Sequence, residues 1–148
     1  MIPLELVGSQ GYDSYVVSFN QSVQRQIDHH YSLNDVAGLE SMSVRLIARV
    51  NERPYREDCY LYLMSSYRDS LLGVMQSQAG LVLPRGYAIY YSRTEASPKV
   101  DMPHVGMVLE NGLIRSKWGQ GGHVFEHPVD VVPTIYGNQA LISVIRRI

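Results

Sequence analysis

Cysteine is all but missing from this chain: one residue in 148, Cys59. A single thiol builds neither a disulfide framework nor a cysteine-rich zinc site, so neither a covalent staple nor a cysteine-rich metal site is expected. An excess of one charge is missing too. The 13 basic and 14 acidic residues leave a formal net charge of -1, so nothing advertises nucleic acid or an anionic membrane as a partner. No apolar run approaches membrane-spanning length. The start, Met1-Ile2-Pro3-Leu4-Glu5-Leu6, lacks the basic and apolar regions of a secretory signal. The expectation is a cytoplasmic protein, or one exported without a Sec signal. Repeats, low-complexity tracts and linkers are also lacking, and a hydrophobic fraction of 45% suffices to close one core. The chain reads as a single domain, 1–148.

What is present falls into two halves. As far as about Phe19 the pattern supports only an irregular segment or a short edge strand. From Ser32, with Asp35 three residues on, Val36, Leu39, Ser43, Leu46, Ile47 and Val50 fall on one helical stripe, which predicts a helix. Asn51, Arg53 and Pro54 break it. A second helix is expected from Asp58, carrying Tyr62, Leu63, Tyr67 and Leu71 inward before Gly73.

After Gly80 the period changes to that of strands. Tyr87 to Tyr91 is aromatic and β-prone, 94–103 reads as a surface loop, and His104 to Glu110 alternates. Asn111-Gly112 is a hairpin turn signal, with Leu113 to Trp118 returning. His123 to His127 and Leu141 to Ile148 are further strands, with a wandering segment from Pro128 to Gly137 between them. The fold class is therefore α+β: helices first, packed as one layer on an antiparallel sheet.

Two residues stand out chemically. A cysteine in the first turn of a helix meets unpaired backbone N–H groups and the positive end of the dipole, which lower a thiol's pKa. Against this, a lone cysteine is often just a small buried hydrophobe. His104 opens a strand whose alternation puts Gly106, Val108 and Glu110 on its own face. The small Gly106 leaves room beside it for a helix end or a substrate. Asp28-His29-His30 suggests metal only weakly, because adjacent histidines do not share a helical face, and a solvated turn is the better reading. Gly119-Gln120-Gly121-Gly122 lacks the lysine and helix of a phosphate loop. Eleven tyrosines stand beside two phenylalanines. Tyr60, Tyr62, Tyr67, Tyr87, Tyr90 and Tyr91 are expected along the helix–sheet interface.

The segments Tyr55-Arg56-Glu57-Asp58-Cys59, Leu83-Pro84-Arg85-Gly86-Tyr87-Ala88-Ile89-Tyr90 and Pro103-His104-Val105-Gly106-Met107-Val108-Leu109-Glu110-Asn111-Gly112, in this order and spacing, resemble the NlpC/P60 family over about residues 54–118. The resemblance implies a papain-like fold and a cysteine hydrolase without a cofactor. Cys59 would be the nucleophile and His104 the base, and the substrate a peptide or peptidoglycan fragment. The implied enzyme is a peptidoglycan stem-peptide amidase or endopeptidase, with a secreted effector as one setting. The same pair could serve a protein-modifying enzyme: a deamidase, a transglutaminase-like enzyme or an isopeptidase. The remaining alternative is a papain-like interaction module without catalysis. The oxyanion would meet the Cys59 backbone N–H, with Tyr55 as an added donor.

The family's third group, on the returning strand, has Arg115 as its nearest match here, and a guanidinium accepts no hydrogen bond. A two-residue Asn111-Gly112 turn would put Arg115 and Lys117 on the face of His104, whereas a three-residue loop with a bulge at Gly112 would put Ser116 and Trp118 there. Ser116 can accept from an imidazole and is the expected third residue. Glu126, His127 and a backbone carbonyl are its rivals.

Overall fold

The computed structural model describes residues 12–65, 84–93 and 104–145. Seven strands form one sheet: β1 Tyr12–Ser18, β2 Arg45–Ala48, β3 Pro84–Tyr91, β4 His104–Leu109, β5 Ile114–Lys117, β6 Val124–His127 and β7 Gln139–Ile145. Their spatial order is β1-β7-β3-β4-β5-β6-β2, and every pairing is antiparallel. The helices are α1 Gln21–Ser32, α2 Val36–Ser41 and α3, described over 59–65. None of them is long and apolar enough to cross a membrane.

The N-terminal third departs most from the sequence expectation. Asn20 caps α1, its side chain accepting from the Ser22 N–H at 2.8 Å. The helix then carries Val23, Ile27 and Tyr31 toward the core at four-residue spacing, so the segment holding Asp28, His29 and His30 is helical rather than a turn. The long helix expected from Ser32 to Val50 is only α2, six residues capped by Asp35. Ser43, at a φ of 69°, breaks the helical path, and the β-prone Leu46 and Ile47 follow in β2, which pairs with the open edge of β6. A solitary apolar stripe does not say whether a chain will complete a helix or find a sheet edge.

The helices also do not form one layer. Ile27 of α1 and Leu39 of α2 join Ala88, Tyr90, Val108, Ile114, Trp118, Phe125 and Ile142 in the larger core on one sheet face. Leu63 of α3 packs with Met107 and Leu109, flanked by Tyr87 and Val105, on the other. The alternating residues of β4 therefore serve two cores. Of the tyrosines expected at the interface, Tyr62, Tyr90 and Tyr91 are buried, but Tyr60 is 49% exposed. Tyr67, Leu71 and Gly73, like the expected loop 94–103, lie outside the described residues.

Candidate active site

Cys59 is the first residue of α3. Asp58 caps the helix, its carboxylate accepting from the Leu61 N–H at 2.8 Å, while the Asp58 carbonyl accepts the first helical bond from Tyr62. Cys59 and Leu63 are four residues apart and share a helical face, so the thiol turns toward the sheet with Leu63. It arrives at the start of β4, beside the backbone N–H of Val105. Burial pushes the thiol pKa up and the Asp58 carboxylate adds to this, against the N–H groups of Val105, Tyr60 and Cys59 itself. The low thiol pKa expected of a helix start is therefore not found: desolvation outweighs the helix terminus at a half-buried sulfur.

His104 lies one residue from that contact but on the other sheet face. It is fully buried. Its ring stacks on Tyr136, with centroids 3.8 Å apart and planes 13° apart, and Tyr90 stands 5.3 Å away. Neither ring nitrogen has a hydrogen-bond partner among the described residues, so Cys59 and His104 are not hydrogen-bonded in this conformation. Burial, helped by the nearby His127, holds the imidazole well below its ordinary pKa. Both members of the expected pair are therefore held in their neutral forms.

The room expected beside Gly106 is filled. A methyl group there would collide with Ile114, and Ser116 lies just beyond. This neighbourhood also settles the parity of the hairpin. Leu109 N–H donates to the Leu113 carbonyl at 2.9 Å, and Gly112 has a φ of 83°. The loop thus has three residues, and Ser116 and Trp118 fall on the His104 face. Ser116, however, is engaged elsewhere, its hydroxyl 3.1 Å from Nε2 of His127. Nδ1 of His127 lies 2.7 Å from the Pro128 carbonyl and so carries the ring proton, which makes Nε2 the acceptor and Ser116 the donor. Burial lowers the His127 pKa to about 4.

Glu126 is not near the pair either. It holds Arg115 at 2.8 Å and Arg45 at 3.1 Å on the opposite face. Tyr55, offered as an oxyanion donor, is 89% exposed with the Arg56 guanidinium over its ring. No family model, curated protein or solved structure matches the chain.

Two residues that the sequence did not single out complete the site. Tyr136, in the 3-10 turn Thr134–Tyr136, roofs His104. That turn is held by α1: Asp28 accepts from the Thr134 N–H at 2.9 Å and from its hydroxyl at 2.7 Å, and Gln24 donates to the Gly137 carbonyl at 2.8 Å. Lys117 is buried on the Cys59 side, its ammonium donating to the carbonyls of Glu57, Gly119 and Gln120. The sequence offered Lys117 only as a neighbour of His104 under a two-residue turn; the three-residue loop sends it to the opposite face, and its acceptors come from loops. Beside these loops opens a cleft of about 850 Å³ lined by Val50, Asn51, Arg53, Tyr55, Arg56 and Gln120 among others.

Proposed function

We propose that this chain is a cysteine hydrolase on a papain-like frame, with Cys59 as nucleophile and His104 as base. The observation that carries the reading is the docking of the Cys59 helix start on the Val105 backbone. That residue adjoins a buried imidazole whose two nitrogens have no partner among the described residues. Leaving buried polar groups unsatisfied costs on the order of 1–3 kcal/mol, and such a group calls for a task.

Neutral thiol and neutral imidazole are the forms that burial favours. The Sγ proton then passes to a His104 ring nitrogen as sulfur attacks the amide carbonyl, rather than resting there beforehand as an ion pair. The same proton leaves with the amine, and water hydrolyses the thioester. The oxyanion would face the backbone N–H of Cys59. For this to happen the start of β4 has to rearrange, so that His104 leaves the Tyr136 stack and comes round to the sheet face on which the Cys59 helix lies. By the resemblance over 54–118, the amide belongs to a peptidoglycan stem peptide. A second reading, an interaction module without catalysis, is favoured by the closed Tyr136–His104 stack and by the raised thiol pKa.

The test is hydrolysis of purified wall fragments, beside ubiquitin-like protein substrates, by the wild type, Cys59→Ala and His104→Ala. The hydrolase reading expects wall cleavage that Cys59→Ala abolishes and His104→Ala reduces about 10²–10⁴-fold. Cleavage or deamidation of the proteins alone would transfer the pair to a protein substrate. Inactivity of the folded wild type on both would leave the interaction module.

A further inference from the structure

Lys117 is a buried cation that the hydrolase chemistry described above does not use. Its Nζ lies 2.6 Å from the Glu57 carbonyl, 3.0 Å from that of Gly119 and 2.9 Å from that of Gln120. All three partners are acceptors, and only an ammonium has three hydrogens to give them, so the geometry itself requires the charged form. Glu57 lies two residues before Cys59, while Gly119 and Gln120 form the β5–β6 turn. One ammonium therefore joins the segment entering α3 to the turn facing it across the cleft. The Glu57 side chain has a partner of its own, bonded at 2.8 Å by each of two Arg53 nitrogens, so its carboxylate does not compete with its carbonyl for Lys117.

We propose that Lys117 is the positioning residue of the Cys59 site: a buried ammonium that fixes the start of α3 through the Glu57 carbonyl and sets a positive charge beside the thiol. The inference deepens the Cys59 reading and rests on it. Two effects follow. The three bonds set where the thiol sits relative to β4, since Glu57 and Cys59 are separated only by the capping residue Asp58. The charge favours the thiolate, opposing the burial and the Asp58 carboxylate that disfavour it. Among charged side chains, Asp58 on its own segment acts on the thiol's ionisation, and the thiol in turn acts on Lys117 from β5 and on Tyr136 from the 3-10 turn. Lys117 itself is influenced by burial and by Glu57, Arg53, Asp58 and Cys59. Of these described groups coupled to the thiol, Lys117 alone brings a positive charge.

The experiment follows iodoacetamide labelling of Cys59 against pH in the full chain, comparing wild type with Lys117→Met and Lys117→Arg. Lys117→Met keeps the length and apolar stem but loses the charge and all three donors. With native circular dichroism retained, its labelling midpoint should move up by about one pH unit, a tenfold lower rate below the midpoint. Lys117→Arg, which keeps the charge, should recover part of the shift. A folded Lys117→Met with the wild-type profile overturns the proposal.

Should Lys117→Met fail to fold, wild-type NMR decides. The Lys117 Cε resonance should step at the labelling midpoint of Cys59, and the step should vanish in Cys59→Ala. Absence of that step in the wild type overturns the proposal equally. Labelling reads the thiol and not amide hydrolysis, so a Lys117-dependent profile in a protein inactive on both wall fragments and protein substrates would sink the hydrolase reading and leave this inference standing.

Discussion

Tyr136 lies flat on His104, ring centroids 3.8 Å apart, and thereby decides whether the imidazole is a core residue or a base. The stack is held from α1, through Asp28 on Thr134 and Gln24 on Gly137. Removing the ring in Tyr136→Ala should admit water and raise the His104 pKa toward 6.5, read from the imidazole proton resonances. Loss of the buried ring should cost about 3–5 kcal/mol, read from urea unfolding. An unshifted His104 titration in the folded variant would mean that Tyr136 is not what keeps the imidazole neutral.

The buried histidines make stability depend on pH. His127 has a folded pKa of about 4 against an ordinary value of 6.5, and His104 is also lowered. A depressed histidine means that the unfolded chain binds the proton first. The contribution is fully present above 6.5 and is lost as pH falls from 6.5 toward 4. At pH 5 the His127 part alone amounts to about 2 kcal/mol lost relative to pH 7.5. Urea midpoints across this range should fall accordingly, and a flat profile would contradict the burial of both rings.

Ser116 donates to His127 rather than to His104. Ser116→Ala should leave Nε2 of His127 buried without a partner and destabilise the protein by about 1–3 kcal/mol. Labelling of Cys59 should stay close to wild type. A specific loss of turnover without loss of stability would return Ser116 to the catalytic role expected from the sequence.

Gly106 is required by its neighbour across the hairpin. A methyl group would meet Ile114, so Gly106→Ala should cost about 1–3 kcal/mol through overpacking. In an Ile114→Ala background, which lacks the Cγ2 methyl that a Cβ at position 106 would meet, Gly106→Ala should cost less than in the wild type in thermal or urea unfolding.

Local chemistry makes part of this molecule legible in its residues alone. The helix that starts at Asp58 and Cys59, the strand from His104, the turn at Gly112 and the strands around Ser116 and Phe125 all rest on interactions within a few residues, and each lies where the sequence put it. The N-terminal third failed because its choice was not local: Leu46 and Ile47 suit a helical stripe as well as a strand, and only the open edge of β6 decides. The site divides in the same way. Sequence set Cys59 at a helix start and His104 at a strand start, and it left the face of the hairpin to a one-residue question that Gly112 answers with a positive φ. Tertiary structure alone put α3 on one sheet face and His104 on the other, beneath a tyrosine held from α1. It alone gave Ser116 to His127, and it drew the distant Glu57 carbonyl onto Lys117 beside the carbonyls of the adjoining β5–β6 turn. Burial and charge at these groups are properties of packing between segments distant along the chain, and no pattern within one segment encodes them.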